Sequence, residues 1–288
     1  MSRVLDELLD LLTLEATGED VFLGRSQDLG WGRVFGGQVL GQALSAAERT
    51  VDPSRLVHSL HAYFLRPGDP GLPVEYRIER TRDGRSFTTR RIRAEQKGRP
   101  IFFMAASFQI REIGLEHQDA MPEVSGPDGL MSSRDLIRQR AEHLPAAMTE
   151  WAMMEFPIEI RPVRVSDPVN PAPSEPVQHV WLRAESDLPD GPALHRYLLA
   201  YASDFVLLDT ALLPHGRSPW QGGLQMASID HAMWFHRDLR MDDWLLYAMD
   251  SPSASGARGL VHGRFFDRRG VLVASVAQEG LIRPVDRS

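Results

Sequence analysis

Apolar and polar positions along this chain follow two different periods, and the two alternate in the same order twice. From Gly36 to Thr50, small and apolar residues recur at the three-to-four-residue spacing of a helix that packs one face against a core. The runs LVHSLHAYFL, VEYRIERT, SFTTRRIRAEQ and IFFMAASFQI then alternate, or stay apolar, over strand lengths. Glycines at Asp83-Gly84, Lys97-Gly98 and, later, Arg269-Gly270 read as hairpin turns. The second half repeats the plan. A helix is predicted from Pro192 to Leu213, with proline just inside its start, where a missing N–H costs nothing. The runs GLQMASIDHAMWFH, DWLLYAMDSPSA, RGLVHGRFFD and VLVASVAQEGLI follow as strands.

Self-comparison supports a duplication. His61 aligns with His231, Gly98 with Gly270 and Gly41 with Asp209, in the same order and each about 170 residues apart. One helix followed by an antiparallel meander, twice, is an α+β plan. We expect units at residues 1–112 and 153–288, joined by a polar, Gly- and Pro-punctuated linker at 113–152 with a helix near Ser133 to Glu142. The proline-dense RPVRVSDPVNPAPSEP is expected to be an exposed loop or extended connection.

Three polar residues interrupt apolar patterns. Asp204 falls in a helix that is apolar on nearly every side, where a charged carboxylate must be hydrogen-bonded or neutralised. Gln278 shares a strand face with Leu272, Ala274 and Val276, so its amide needs buried partners. Ser228 shares a face with Met226 and Trp234 if the strand is regular. Each also has an ordinary structural reading: Asp204 as a cap or amide acceptor, Gln278 as satisfying a neighbouring strand, Ser228 as a common strand residue. Their combination on elements expected to pack together points to chemistry. Asp209 is expected to face elsewhere, and His58 and His61 to lie on opposite faces of one strand.

Composition narrows the choices. The 288 residues carry a net charge of −7, which suits nucleic-acid binding poorly. There is no cysteine, so disulfides, thiolate metal sites and thiol nucleophiles are excluded. The Gly-x-Ser sites at Gly24, Gly84 and Gly216 lack the second glycine of a nucleophile elbow. No phosphate-binding loop, dinucleotide fingerprint or zinc helix is present. With neither a signal-peptide pattern nor an apolar run long enough to span a bilayer, the expectation is a cytoplasmic protein not inserted in a membrane.

The segments Arg33-Val34-Phe35-Gly36-Gly37-Gln38, HSLHAYFLRPGD and DGRSFTTRR resemble the acyl-CoA thioesterase II (TesB-like) family. So do YASDFVLLDTALLPHG, QMASIDHAMWFHR, WLLYAMDSPSASGARG and VASVAQEGLIR, and together these cover nearly the whole chain. The resemblance implies a double hotdog fold, in which each half wraps an antiparallel sheet around its helix, and hydrolysis of acyl-CoA without metal or redox cofactor. It puts the family's aspartate on Asp204, its glutamine on Gln278 and its usual threonine on Ser228, which keeps the hydroxyl and loses the methyl. Gly37 aligns with Asp204 and His58 with Ser228, so one working site per chain is expected. The turn at Phe35-Gly36-Gly37 is expected to offer backbone N–H groups to the thioester oxygen, and His58 is a rival catalytic residue. Arg85, Arg90 and Arg258 are candidates for the CoA phosphates. Open sheet edges suggest a homodimer or homotetramer. Two other readings remain open: a hotdog enoyl-CoA hydratase or dehydratase, and a noncatalytic acyl-CoA-binding module.

Overall fold

The computed structural model describes residues 2–285. Helix α1 (Arg3–Leu12) opens with Ser2, whose hydroxyl accepts from the Leu5 N–H, and buries Leu5, Leu8, Leu11 and Leu12 on one face. Short strands β1 (Glu15–Gly18) and β2 (Val21–Gly24) precede the first core helix, α2 (Gly36–Glu48). The meander β3 (Arg55–Phe64), β4 (Val74–Asp83), β5 (Phe87–Gln96) and β6 (Arg99–Ile110) follows, with the turns where glycine predicts them. At the β5–β6 turn Lys97 and Gly98 both have positive φ, 51° and 71°, as a tight hairpin requires.

Residues 111–157 hold helices α3 (Ser133–Arg138) and α4 (Ala146–Met153). The second half begins with β7 (Ile158–Pro162) and β8 (Val177–Ala184), joined by the proline-dense loop, then α5 (Pro192–Ala202). Strands β9 (Leu224–Ser228), β10 (Asp230–Phe235), β11 (Leu245–Ser255), β12 (Arg258–Asp267) and β13 (Leu272–Pro284) complete the chain.

The strands form one antiparallel sheet in the order β1-β2-β4-β5-β6-β3-β10-β13-β12-β11-β8-β7, with β9 also paired to β13. That order reads the same from both ends once the halves are matched, so the duplication appears as a pseudo-twofold between β3 and β10. The two histidines that revealed the repeat sit at this seam, His231 opposite Ala62 and His61 opposite Ala232. Inside the curved sheet the repeat-related helices α2 and α5 pack on each other. Their backbones come close enough that a Cβ on Gly37 would lie 2.2 Å from the Tyr201 carbonyl oxygen.

Four expectations change. The strand pairs β1–β2 and β7–β8 ahead of each helix, and helix α4, are additions. The helix from Pro192 stops at Ala202, and a separate 3-10 segment runs from Leu208 to His215. Between them Val206 takes φ +56°, a left-handed conformation unfavourable for a β-branched residue, which turns the chain sharply. The run GLQMASIDHAMWFH is two strands broken at Ile229, because the register against β13 slips there by one residue: Ser228 faces Gly280 and Ala232 faces Ala277. That slip puts Ser228 in phase with His231 and Met233 rather than Trp234. In β3, Val57 lies opposite Phe108 and Ser59 opposite Ser107, so His58 is the extra residue of a bulge and simple alternation does not govern it.

Candidate active site

Asp204 sits just past the end of α5, in the turn that Val206 closes. Oδ2 accepts from the Gly37 N–H at 3.0 Å, and Oδ1 from the Ser228 hydroxyl at 3.2 Å. Gln278 donates through Nε2 to Ser228 Oγ at 3.1 Å. Residues from α2, the turn after α5, β9 and β13 thus converge at one carboxylate. The helix N-terminus comes from the first half and the acid from the second. Gly36 lies beside them, and a Cβ there would meet Asp204 Oδ2 at 2.6 Å, so only glycine leaves the carboxylate its place.

Asp204 is enclosed by protein yet keeps one side open to a cavity. Burial pushes its pKa up to about 6, against the hydrogen bonds of Gln278, Ser228 and the Gly37 N–H and the charge of Arg33, which favour ionisation. A carboxylate poised near neutrality is a usable base. Asp209 differs from expectation. It lines the same cavity, and burial, then the charge of Asp204, raises it also to about 6.

The cavity holds about 1220 Å³, larger than the usual range of roughly 300–1,000 Å³ for small-ligand sites. Asp204, Ser228, Gln278 and Gly36 share it with apolar walls from Phe35, Val39, Phe64, Phe102, Met148 and Phe205. Helices α3 and α4 form part of its wall. Arginines at 33, 66, 134, 138, 140, 164 and 217 line it, and no histidine does among the described residues.

Several sequence-predicted residues lie elsewhere. His58 hydrogen-bonds Ser107 at 2.8 Å and packs edge-on to Phe87, outside the cavity. Arg90 is fully buried, its guanidinium donating to Thr50 Oγ1 and the Thr50 carbonyl at 2.9 Å each and to Asp83 at 2.7 Å. It staples the end of α2 to a hairpin. Its phase with Ile92 and Ala94, both buried, was the available signal. Arg85 is exposed at the β4–β5 turn, and Arg258 pairs with Glu279 at 2.8 Å beside a smaller pocket of about 410 Å³. None of the three lines the large cavity. The Gly37 N–H meets Asp204 rather than open space. The Gly36 N–H meets no acceptor among the described residues. His231, whose match with His61 marks the repeat, touches Gln278 from behind. Among the described residues no cluster of three or more His, Asp or Glu is placed to hold a metal ion.

Two family models match the chain: the acyl-CoA thioesterase N-terminal domain over residues 26–109, and acyl-CoA thioesterase over residues 148–281. Acyl-CoA thioesterase 2 of Haemophilus influenzae is 41% identical, across 98% of this chain and 99% of that protein. The chain belongs to the acyl-CoA thioesterase family. Human acyl-coenzyme A thioesterase 8 is 45% identical over 95% of this thioesterase and 88% of its own length. The crystal structure of acyl-CoA thioesterase II TesB2 from Mycobacterium marinum superposes with a TM-score of 0.78 at 41% identity, covering 98% of this chain and 99% of that one. The architecture is a double hotdog. The thioesterase is a hydrolase of acyl-CoA thioester bonds.

Proposed function

We propose that this thioesterase cleaves fatty acyl-CoA by direct attack of a water molecule activated by Asp204. The carrying observation is a carboxylate with a pKa near 6, gripped by Gly37 and Ser228 and open to a large, mostly apolar cavity. Water bound beside Asp204 gives the carboxylate its proton as its oxygen adds to the thioester carbon. Collapse of the tetrahedral adduct breaks the C–S bond, and the proton passes to the departing CoA sulfur. Gln278 and Ser228 hold the water and the carboxylate in line. A positioned base of this kind contributes about 10²–10⁴-fold. The Gly36 N–H at the start of α2, which meets no acceptor among the described residues, supports its role as donor to the carbonyl oxygen, where charge develops.

The arginines around the cavity support a CoA phosphate site in place of Arg85, Arg90 and Arg258, and the apolar wall supports an acyl channel. A hydratase needs a histidine facing substrate, and none lines this cavity among the described residues. A binding module has no use for a strained turn that aims an acid inward.

We further propose unit boundaries at 1–112 and 153–288, with 113–152 a linker whose α3 and α4 wall the cavity. The interval between the two family matches supports this. Assembly into a homodimer or homotetramer is proposed from the open edges of β1 and β7, and a cytoplasmic site of action from the cysteine-free composition.

The test is release of free CoA thiol from acyl-CoAs of graded length by the parent and Asp204→Asn. The variant should bind acyl-CoA and lose at least about 10²-fold in kcat. Parent-like turnover in Asp204→Asn overturns the proposed base.

A further inference from the structure

Behind Gln278, away from the cavity, lies a fully buried imidazole that the proposed chemistry leaves unused. His231 is 0% exposed. Its Nδ1 meets Gln278 Oε1 at 2.5 Å, and its Nε2 meets the hydroxyl of Ser203, also 0% exposed, at 2.9 Å. Ser203 is in turn held where α5 ends: its hydroxyl donates to the Ala200 carbonyl at 2.9 Å, and its carbonyl accepts from the Tyr247 hydroxyl at 2.8 Å.

A primary amide has almost the same shape when flipped, but its two ends carry opposite hydrogen-bonding character. The direction of the Gln278 amide decides how the site works. With NH₂ toward Ser228, the serine oxygen accepts from Gln278 and keeps its single hydrogen for Asp204. With the amide reversed, its oxygen competes with Asp204 for that hydrogen, and the carboxylate loses a donor. Nothing in the shape of the pocket separates these two states. The atom on the far side of the amide does. A neutral imidazole with hydrogen on Nδ1 accepts only the first orientation. Burial holds the ring neutral, with its pKa lowered to about 4, and the Gln278 oxygen that faces Nδ1 at 2.5 Å places the ring's one hydrogen on Nδ1. Hydrogen-bond direction then runs one way from His231 through Gln278 and Ser228 to Asp204.

We propose that His231 is a positioning residue for hydrolysis: its Nδ1–H, against Gln278 Oε1, locks the Gln278 amide with its NH₂ toward Ser228 and the attacking water. This rests on the roles given to Gln278 and Asp204 above.

The experiment compares His231→Asn, His231→Gln and His231→Leu, each in the parent and in a Gln278→Ala background. It reads kcat and KM separately, the pH profile of kcat/KM, and the thermal midpoint. Asparagine places an amide N–H where Nδ1–H stood, whereas glutamine places its donor further out and leucine has none. His231→Asn should stay within several-fold of the parent. His231→Gln and His231→Leu should lose about 10–100-fold in kcat with KM little changed, the loss typical when an outer partner that orients a functional side chain is removed. In those two the acidic limb should also move to higher pH, since Asp204 has lost a donor to its charged form. The other titratable groups acting around Asp204 are Arg33, Asp209 and Tyr247, and none is altered. In the Gln278→Ala background the same changes at His231 should have little further effect, because the two act as one unit. Parent-like kcat in His231→Leu overturns the inference, as does an equal loss in all three variants that follows the thermal midpoint. So does a loss undiminished by Gln278→Ala. If Gln278→Ala itself retains parent-like turnover, the role given to Gln278 falls, and this inference falls with it.

Discussion

Asp204 and Asp209 are five residues apart, line one cavity and each lie near a pKa of 6, so ionising one opposes ionising the other. Turnover by an ionised base should therefore fall on the acidic side with an apparent pKa of about 6, measured as kcat/KM against pH. Asp209→Asn removes a neighbouring negative charge, so the acidic limb should move to lower pH; an unmoved limb would mean the two do not interact. Stability carries the opposite sign. The folded chain holds the Asp204 proton more tightly than the unfolded one, whose carboxylates titrate near 4. Folding stability should then decline as pH rises from about 4 to about 6 and level off above. Asp204→Asn should flatten part of that decline, read from denaturant midpoints across the window, while abolishing most turnover.

At the scale of elements, the site depends on two helices meeting end to side. Gly37 lets the first turn of α2 approach the last turn of α5, and its N–H then reaches Asp204. Gly37→Ala forces a Cβ against the Tyr201 carbonyl, a backbone atom that cannot swing aside. It should cost about 1–3 kcal/mol of stability, as overpacking does, and lower kcat as well by displacing a donor from the carboxylate. Denaturant unfolding and turnover together test this, and loss of neither would refute the contact. Val206 belongs to the same scale. Its left-handed backbone ends the approach of α5 and aims Asp204 inward, a strained residue next to a proposed reacting group.

For the whole molecule, the question is where a polyanionic substrate enters. Arg140 and Arg164 line the cavity, are exposed and meet no ion-pair partner among the described residues. Arg140→Ala and Arg164→Ala should each raise KM for acyl-CoA several-fold with kcat nearly unchanged, more so at low than at high salt, because exposed charge is screened. Arg85→Ala and Arg258→Ala should leave KM as it is. A KM raised by Arg258→Ala and not by Arg140→Ala would return the phosphate site to the sequence-based assignment.

The chain by itself determined the repeated helix-and-meander plan, the glycine turns and the three polar residues set among apolar neighbours, because these follow from short-range periodicity and the cost of burying polarity. Its period could not reveal the one-residue slip at Ile229 or the bulge at His58, since either shifts every later side chain to the other face without changing composition. Nor could it separate Arg90, buried against Thr50, from the arginines that line the cavity, because a guanidinium looks the same in sequence whichever way its strand faces. Only the tertiary structure decided that Gly37 of one half would donate to Asp204 of the other, that Asp209 would share its cavity, and that His231 would stand behind Gln278. Those contacts join residues far apart in the chain, and they exist because two copies of one plan pack about a common seam.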